Sequence, residues 1–170
     1  PNPVTSSGID ARFVVNTLAP YVLTQRLLSI IPKTGRVVNL SSAAQAPVDV
    51  AAMTSGRSMD HMEAYAQSKL AITIWTQELA KTLPTGPAII AVNPGSLLAS
   101  KMVKEGFGIA GNDLSIGADI LIKAALDDSF ADKSGAYFDN DSGRFAPPHS
   151  AAESAEHRSA VMEAIEKLIA

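Results

Sequence analysis

Glu63-Ala64-Tyr65-Ala66-Gln67-Ser68-Lys69 places a phenol and an ammonium four residues apart near the start of a long run with helical periodicity. Residues at i and i+4 share one face of a helix, so Tyr65 and Lys69 point together into one site. A positive charge beside a phenol favours the phenolate and lowers a reference pKa of about 10, which makes a general acid suited to near-neutral pH. Tyr and Lys at this spacing also occur by chance on many helices, so the pair takes its meaning from its surroundings. The run from Met59 to Leu83 carries Ala64, Leu70, Ala71, Ile74, Trp75, Leu79 and Leu83 as a broad apolar stripe, with Trp75 read as core or interface. Pro84-Thr85-Gly86-Pro87 ends it.

Upstream, Arg36-Val37-Val38-Asn39-Leu40 lies between the turn Pro32-Lys33-Thr34-Gly35 and Ser41-Ser42, as expected of a buried parallel strand. Downstream, Ala88-Ile89-Ile90-Ala91-Val92 reads as the next buried strand, followed by Asn93-Pro94-Gly95. Ligands of open α/β sheets bind beyond the carboxyl ends of the strands, where both Ser41-Ser42 and Pro94-Gly95 fall. Small hydroxyl residues and Pro-Gly also simply terminate strands.

From Ile9 to about Ile31, apolar residues at Phe13, Val14, Leu18, Val22, Leu23, Leu27 and Leu28 follow a period near 3.6, so a helix is expected. Pro20 removes one of its backbone hydrogen bonds and predicts a kink or a late start. Asn16 lies near the middle, where a buried amide is usually a satisfied core group. Further on, Ser115 to Leu126 reads as helix, Ala136-Tyr137-Phe138 as a short strand, and Asp139-Asn140-Asp141-Ser142-Gly143 as a turn. That turn lacks the third ligand position and the distant Glu of a calcium loop. Pro147-Pro148 breaks the chain, and Ala151 to Ala170 is an amphipathic helix with Val161, Ile165, Leu168 and Ile169 on its apolar side. The order helix, strand, long helix, strand, helix, strand, helix is an α/β pattern, that of the C-terminal half of a doubly wound parallel-sheet, Rossmann-like domain.

Asn16, Ser42, Tyr65-x-x-x-Lys69 and Asn93-Pro94-Gly95, in this order, resemble the short-chain dehydrogenase/reductase family over about residues 9 to 145. The resemblance implies an oxidoreductase that moves a hydride between NAD or NADP and an alcohol, aldehyde or ketone. By resemblance Ser42 hydrogen-bonds the substrate carbonyl, Tyr65 supplies the proton, Lys69 lowers the Tyr pKa and binds the nicotinamide ribose, and Asn16 holds a water against Lys69. Ser41 is the lesser candidate. The implied cofactor contacts are Tyr65, Lys69, Pro94, Gly95, Leu97 and Ser100, although the hydroxyl at Ser100 comes one residue later than the family's Thr. The 22 residues between Ser42 and Tyr65 exceed the commonest family spacing and agree with the retinol dehydrogenase-like and protochlorophyllide reductase-like branch. Ala46-Pro47-Val48-Asp49-Val50, Met53 and Met59 in this insertion either line an apolar pocket or pack on the protein's own surface. Residues 96 to 116 resemble the variable lid over the substrate. The helices at 9 to 31 and 59 to 83 are the family's usual subunit contact, which implies a homodimer or homotetramer.

The bulk properties narrow the alternatives. With 170 residues, 46% of them hydrophobic, one domain is expected, residues 1–150 forming a partial NAD(P)-binding catalytic domain and 151–170 its C-terminal helix. A net charge of −3, from 14 basic and 17 acidic residues, gives no footprint for nucleic acid. The three histidines, His61, His149 and His157, show no ligand spacing, so no metal is expected. No cysteine occurs and no apolar run approaches the ~20 residues of a membrane span, which fits a cytoplasmic protein. The chain begins Pro1-Asn2-Pro3 without Met, and a Gly-rich phosphate-binding turn is missing. Gly106-Phe107-Gly108-Ile109-Ala110-Gly111 has the G-x-G-x-x-G spacing but follows no strand and reads as a loop. A fragment, inactive or marginally folded alone because one sheet edge is uncovered, is therefore expected. The rival readings are a non-catalytic module of the same fold and a sugar-nucleotide epimerase or dehydratase, the latter disfavoured by the short tail.

Overall fold

The computed structural model describes residues 4–57, 59–99, 103–105 and 108–170. Helix α1 occupies residues 11–27 in three joined pieces: an opening turn Ala11–Phe13, a π-helical Val14–Leu18 and an α-helical Ala19–Leu27. Asp10 caps it by accepting from the Arg12 N–H. The expected span of 9 to 31 is thus trimmed at both ends. Pro20 explains the middle: it has no N–H and its ring crowds the carbonyl four residues back. The wider turns before it relieve that conflict, the Ala19 N–H reaching back five residues to the Val14 carbonyl. The helix therefore runs through the proline and does not start late.

Strands β1 (Arg36–Leu40), β2 (Ala88–Asn93), β3 (Tyr137–Asp139) and β4 (Arg144–Ala146) form one sheet in the order β1-β2-β3-β4. β1 and β2 are parallel with Val38 opposite Ile90, and β2 and β3 are parallel with Val92 opposite Phe138. β4 turns back antiparallel, pairing Phe138 with Phe145. This hairpin and the short helix α2 (Val50–Ser55) are absent from the sequence expectation, which placed only parallel strands. The remaining helices are α3 (His61–Thr82), α4 (Leu114–Leu126) and α5 (Ala155–Ile169).

Every residue of β2 is buried, and its side chains alternate between two cores. Ile89 joins Phe13, Tyr21, Leu70, Trp75, Val161 and Ile165, which brings α1, α3 and α5 onto one face. Ile90 and Val92 join Ile120, Ala124, Phe130 and Phe138, which brings α4 onto the other. Phe130, Phe138 and Phe145 close that second core with ring centroids 5.0 Å apart. Among the described residues β1 is an edge strand. Only its Asn39 is buried and Leu40 is 46% exposed, so burial on both faces, expected for both strands, holds for β2 alone.

The insertion after Ser42 packs on the protein itself: Val48 and Met53 are buried in the first core, and Met59 packs against it. Helix α5 lies on α3 and α2 through Val161 and Ile165, while Ile169 is left exposed. Helix α5 thus covers part of α3 within the chain, and Trp75 is fully buried. No helix among the described residues is long and apolar enough to cross a membrane.

The turn between α3 and β2 touches the turn before β1. Gly86 has φ +87, and a Cβ there would stand 2.0 Å from the Lys33 carbonyl oxygen. Gly86→Ala is therefore expected to lower stability by at least ~2 kcal/mol, the left-handed backbone and the collision adding. Denaturant unfolding checks this, and an unchanged midpoint would contradict the close approach.

Candidate active site

Helix α3 opens at Asp60, whose carboxylate accepts from the Met62 and Glu63 N–H groups. One turn further in, the Lys69 ammonium stands 5.6 Å from the centre of the half-buried Tyr65 ring. Lys69 is 9% exposed, and its Nζ donates to the Leu40 carbonyl at the end of β1 at 2.7 Å. Burial of the charge depresses its pKa from 10.5 to about 8.

A seam of buried polar groups sets the end of β1 against this helix. Asn39 Nδ2 donates to Thr76 Oγ1 at 2.8 Å. Ser41 Oγ lies 2.7 Å from Thr73 Oγ1 and donates to the Lys69 carbonyl at 3.1 Å. Lys69, Thr73 and Thr76 share one face of α3, which the apolar stripe in the sequence left unread. Ser41 is thereby committed to the seam and buried, whereas Ser42 is half-buried.

Asn16 is tied to the same helix. Its Nδ2 donates to Ser68 Oγ at 3.0 Å, Ser68 Oγ donates to the Tyr65 carbonyl at 2.7 Å, and Thr17 Oγ1 donates to the Ser68 carbonyl at 3.0 Å. Pro20 has no N–H to offer the Asn16 carbonyl four residues before it. The Asn16 amide, expected either as a satisfied core group or as a site residue, is half-buried, and with Lys69 it lines a groove along β1.

The segment after β2 leaves beside the end of β1, where the Ser41 N–H donates to the Val92 carbonyl at 2.8 Å. Gly95 has φ +127, a conformation open to glycine and closed to other residues. Its N–H donates to Asn93 Oδ1 at 3.2 Å, and the Pro94 carbonyl accepts from Asn140 Nδ2 at 2.9 Å. Buried Asn93 donates to both Asp139 Oδ1 at 2.8 Å and Asp141 Oδ2 at 2.9 Å. Asp141 also accepts from the Ser96 N–H at 2.8 Å and from Ser96 Oγ at 2.5 Å. Burial pushes both carboxyls up, but the hydrogen bonds they accept outweigh it and hold both below the ordinary carboxylate value. Sequence reading took Asp139 to Gly143 as a plain turn and missed this grip. The signal was the pair of carboxylates two apart at a strand end. Leu97 adopts φ 52 and is pinned by its carbonyl to the Asn112 N–H at 2.7 Å. Ser100 lies outside the described residues.

With a pKa near 8 in the fold against an ordinary 10.5, Lys69 carries fewer protons in the native state between those values. Its burial therefore destabilises the fold fully below pH about 8, and that penalty is relieved as pH climbs to about 10.5. Lys69→Met is expected to raise the thermal midpoint at neutral pH, with the gain shrinking across that window. A gain that instead grows with pH would contradict a buried charge.

No family model matches the chain. It is 32% identical over 161 residues to retinol dehydrogenase 13 of Homo sapiens, covering 82% of this chain and 48% of that protein. To retinol dehydrogenase 12 of Bos taurus it is 36% identical over 112 residues, covering 63% of this chain and 35% of that protein. The chain thus spans a third to a half of the length of these curated relatives. Among solved structures, an uncharacterized protein from Mycobacterium Paratuberculosis superposes with a TM-score of 0.72 at 26% identity, over 99% of this chain and 62% of that one. Landomycin C-6 ketoreductase LanV, solved with bound NADP and rabelomycin, gives 0.51 at 26% identity over 74% of this chain and 48% of its own. Sequence relatives and the parallel sheet with its flanking helices agree: the chain belongs to the short-chain dehydrogenase/reductase family, in its retinol dehydrogenase-like branch.

Proposed function

We propose that the protein is an oxidoreductase acting on an alcohol/carbonyl pair with NAD or NADP. The observation that carries this reading is the buried Lys69 ammonium beside the Tyr65 ring, at the point where β1 and β2 both end. The nicotinamide ring, when bound, supplies or accepts the hydride. The residues present suit that half of a dinucleotide: Gly95 offers backbone without a side chain, and Lys69 offers ammonium hydrogens to a ribose hydroxyl. In the reducing direction Ser42 donates a hydrogen bond to the substrate oxygen and Tyr65 gives it a proton. The positive charge of Lys69 favours the oxyanion left on Tyr65, and Asn16 orders a water toward Lys69. Pro94, Leu97 and Ser100 complete the nicotinamide side by family resemblance.

Among the described residues no Gly-rich turn follows a strand. In this reading the pyrophosphate, and the choice between NAD and NADP, belong to a further segment that pairs with the open edge of β1. There a groove of about 470 Å³ is lined by Leu23, Leu27, Val38, Leu40 and Lys69 among others. The 170 residues alone are accordingly expected to be inactive. A homodimer or homotetramer belongs to this reading, with the helices at 9 to 31 and 59 to 83 as its contact by family resemblance; Leu114, Ile122 and Leu126 on α4 are further exposed apolar side chains. The names of the relatives favour a hydrophobic aldehyde or alcohol such as a retinoid.

The protein as its host produces it should first be weighed intact and its N-terminus sequenced, then assayed with NADPH and NADH on all-trans-retinal and decanal. Tyr65→Phe is expected to lower turnover by about two orders of magnitude or more while leaving dinucleotide affinity nearly unchanged. Equal turnover in the variant would remove Tyr65 from the mechanism, and absence of dinucleotide binding by the host-produced protein would favour the non-catalytic reading.

A further inference from the structure

Two side chains grip Ser42 from behind. Its carbonyl oxygen accepts from Gln45 Nε2 at 2.9 Å and from Tyr137 Oη at 3.1 Å, which engages both lone pairs. Gln45 is itself held, its amide oxygen accepting from the His149 N–H at 3.0 Å in the segment that leads to α5. Tyr137 is 6% exposed on β3. Burial, then the charges of Asp139 and Asp141, push its phenol well above the ordinary value, so it remains a donor at every physiological pH. On the other side, the Ser42 hydroxyl oxygen accepts from the Ala44 N–H at 3.1 Å. That turn couples the hydroxyl oxygen to the backbone of residues 42 to 44 and uses it as an acceptor, so its proton is available to donate elsewhere.

We propose that Gln45 and Tyr137 are positioning residues for Ser42. By fixing its carbonyl they fix, through the turn to Ala44, the direction in which its hydroxyl donates. The segment before α5 takes part through Gln45, so the far end of the chain helps to aim a group beside the Tyr-Lys pair. This rests on the role assigned to Ser42 above. A brace that merely stabilised the fold would be indifferent to whether residue 42 carries a hydroxyl, and this difference makes the assignment testable.

Turnover of decanal and all-trans-retinal with NADPH or NADH would be measured on the protein as its host produces it. The variants are Gln45→Ala, Gln45→Glu, Tyr137→Phe and Ser42→Ala, and Gln45→Ala within Ser42→Ala. Gln45→Ala and Tyr137→Phe should each lower kcat about tenfold with the KM for the dinucleotide unchanged, the size expected of a sub-ångström misplacement. Gln45→Glu keeps the acceptor for His149 and loses the donor to Ser42, so it should fall with Gln45→Ala. In the Ser42→Ala background, Gln45→Ala should have less than about a twofold effect. Equal losses in both backgrounds, or no loss from Gln45→Ala and Tyr137→Phe, would overturn the proposal. Full turnover by Ser42→Ala would remove Ser42 from the mechanism and the positioning role with it. The carbonyl ¹³C shift of Ser42, expected to move in Gln45→Ala and Tyr137→Phe, reports separately whether the grip itself exists.

Discussion

An ammonium taken out of water and handed to a single backbone carbonyl is the constraint around which this chain is arranged. Lys69 lies two turns inside α3, and its Nζ reaches the last carbonyl of β1. A buried charge is tolerated when its hydrogen-bonding partner is held rigidly, because a slack partner leaves the charge uncompensated. The hydroxyl and amide groups of Asn39, Ser41, Thr73 and Thr76 provide that rigidity by stitching the strand to the helix on either side of the lysine. An apolar seam of the same size would bury as much surface without fixing the strand along the helix axis.

The last third of the chain braces the ends of both parallel strands. Tyr137, where β3 begins, reaches the carbonyl of Ser42 after β1, while Asp139 and Asp141 hold Asn93 and Ser96 after β2. The antiparallel β4 stiffens β3, and the Phe130, Phe138 and Phe145 cluster anchors the hairpin below. Loops at strand ends are otherwise the softest parts of such a sheet. Here the segments flanking the Tyr65-Lys69 pair are held by side chains from a hairpin that contributes nothing to their own sequence neighbourhood.

Much of this was legible beforehand, and the reasons for success and failure are physical. Helix α3 and strands β1 and β2 announce themselves by period and by β-branched composition, and Tyr65 and Lys69 follow from helical spacing alone. What escaped depends on partners distant in sequence. The fate of Met53 was undecidable because an apolar side chain lining a pocket and one entering a core look alike; the presence of α5 and α2 over α3 decides it. The π-helical turns of α1 were visible only as a proline in an awkward place, since the sequence marks the conflict at Pro20 and not the way Val14 to Leu18 resolve it. The carboxylates of Asp139 and Asp141 resembled turn residues because their acceptor roles are set by Asn93, more than forty positions away. Ser41 and Ser42 were ranked by resemblance, and burial separates them: Ser41 is absorbed by the seam and Ser42 is half-buried.

The carbonyl that holds Lys69 belongs to an edge strand, and the lysine itself lines the groove beside that edge. Among the described residues β1 is paired only with β2, and the seam to α3 fixes where its last carbonyl stands. The lysine therefore takes its position from the register of the strand, and any slip of β1 along α3 would carry the ammonium away from the Tyr65 ring.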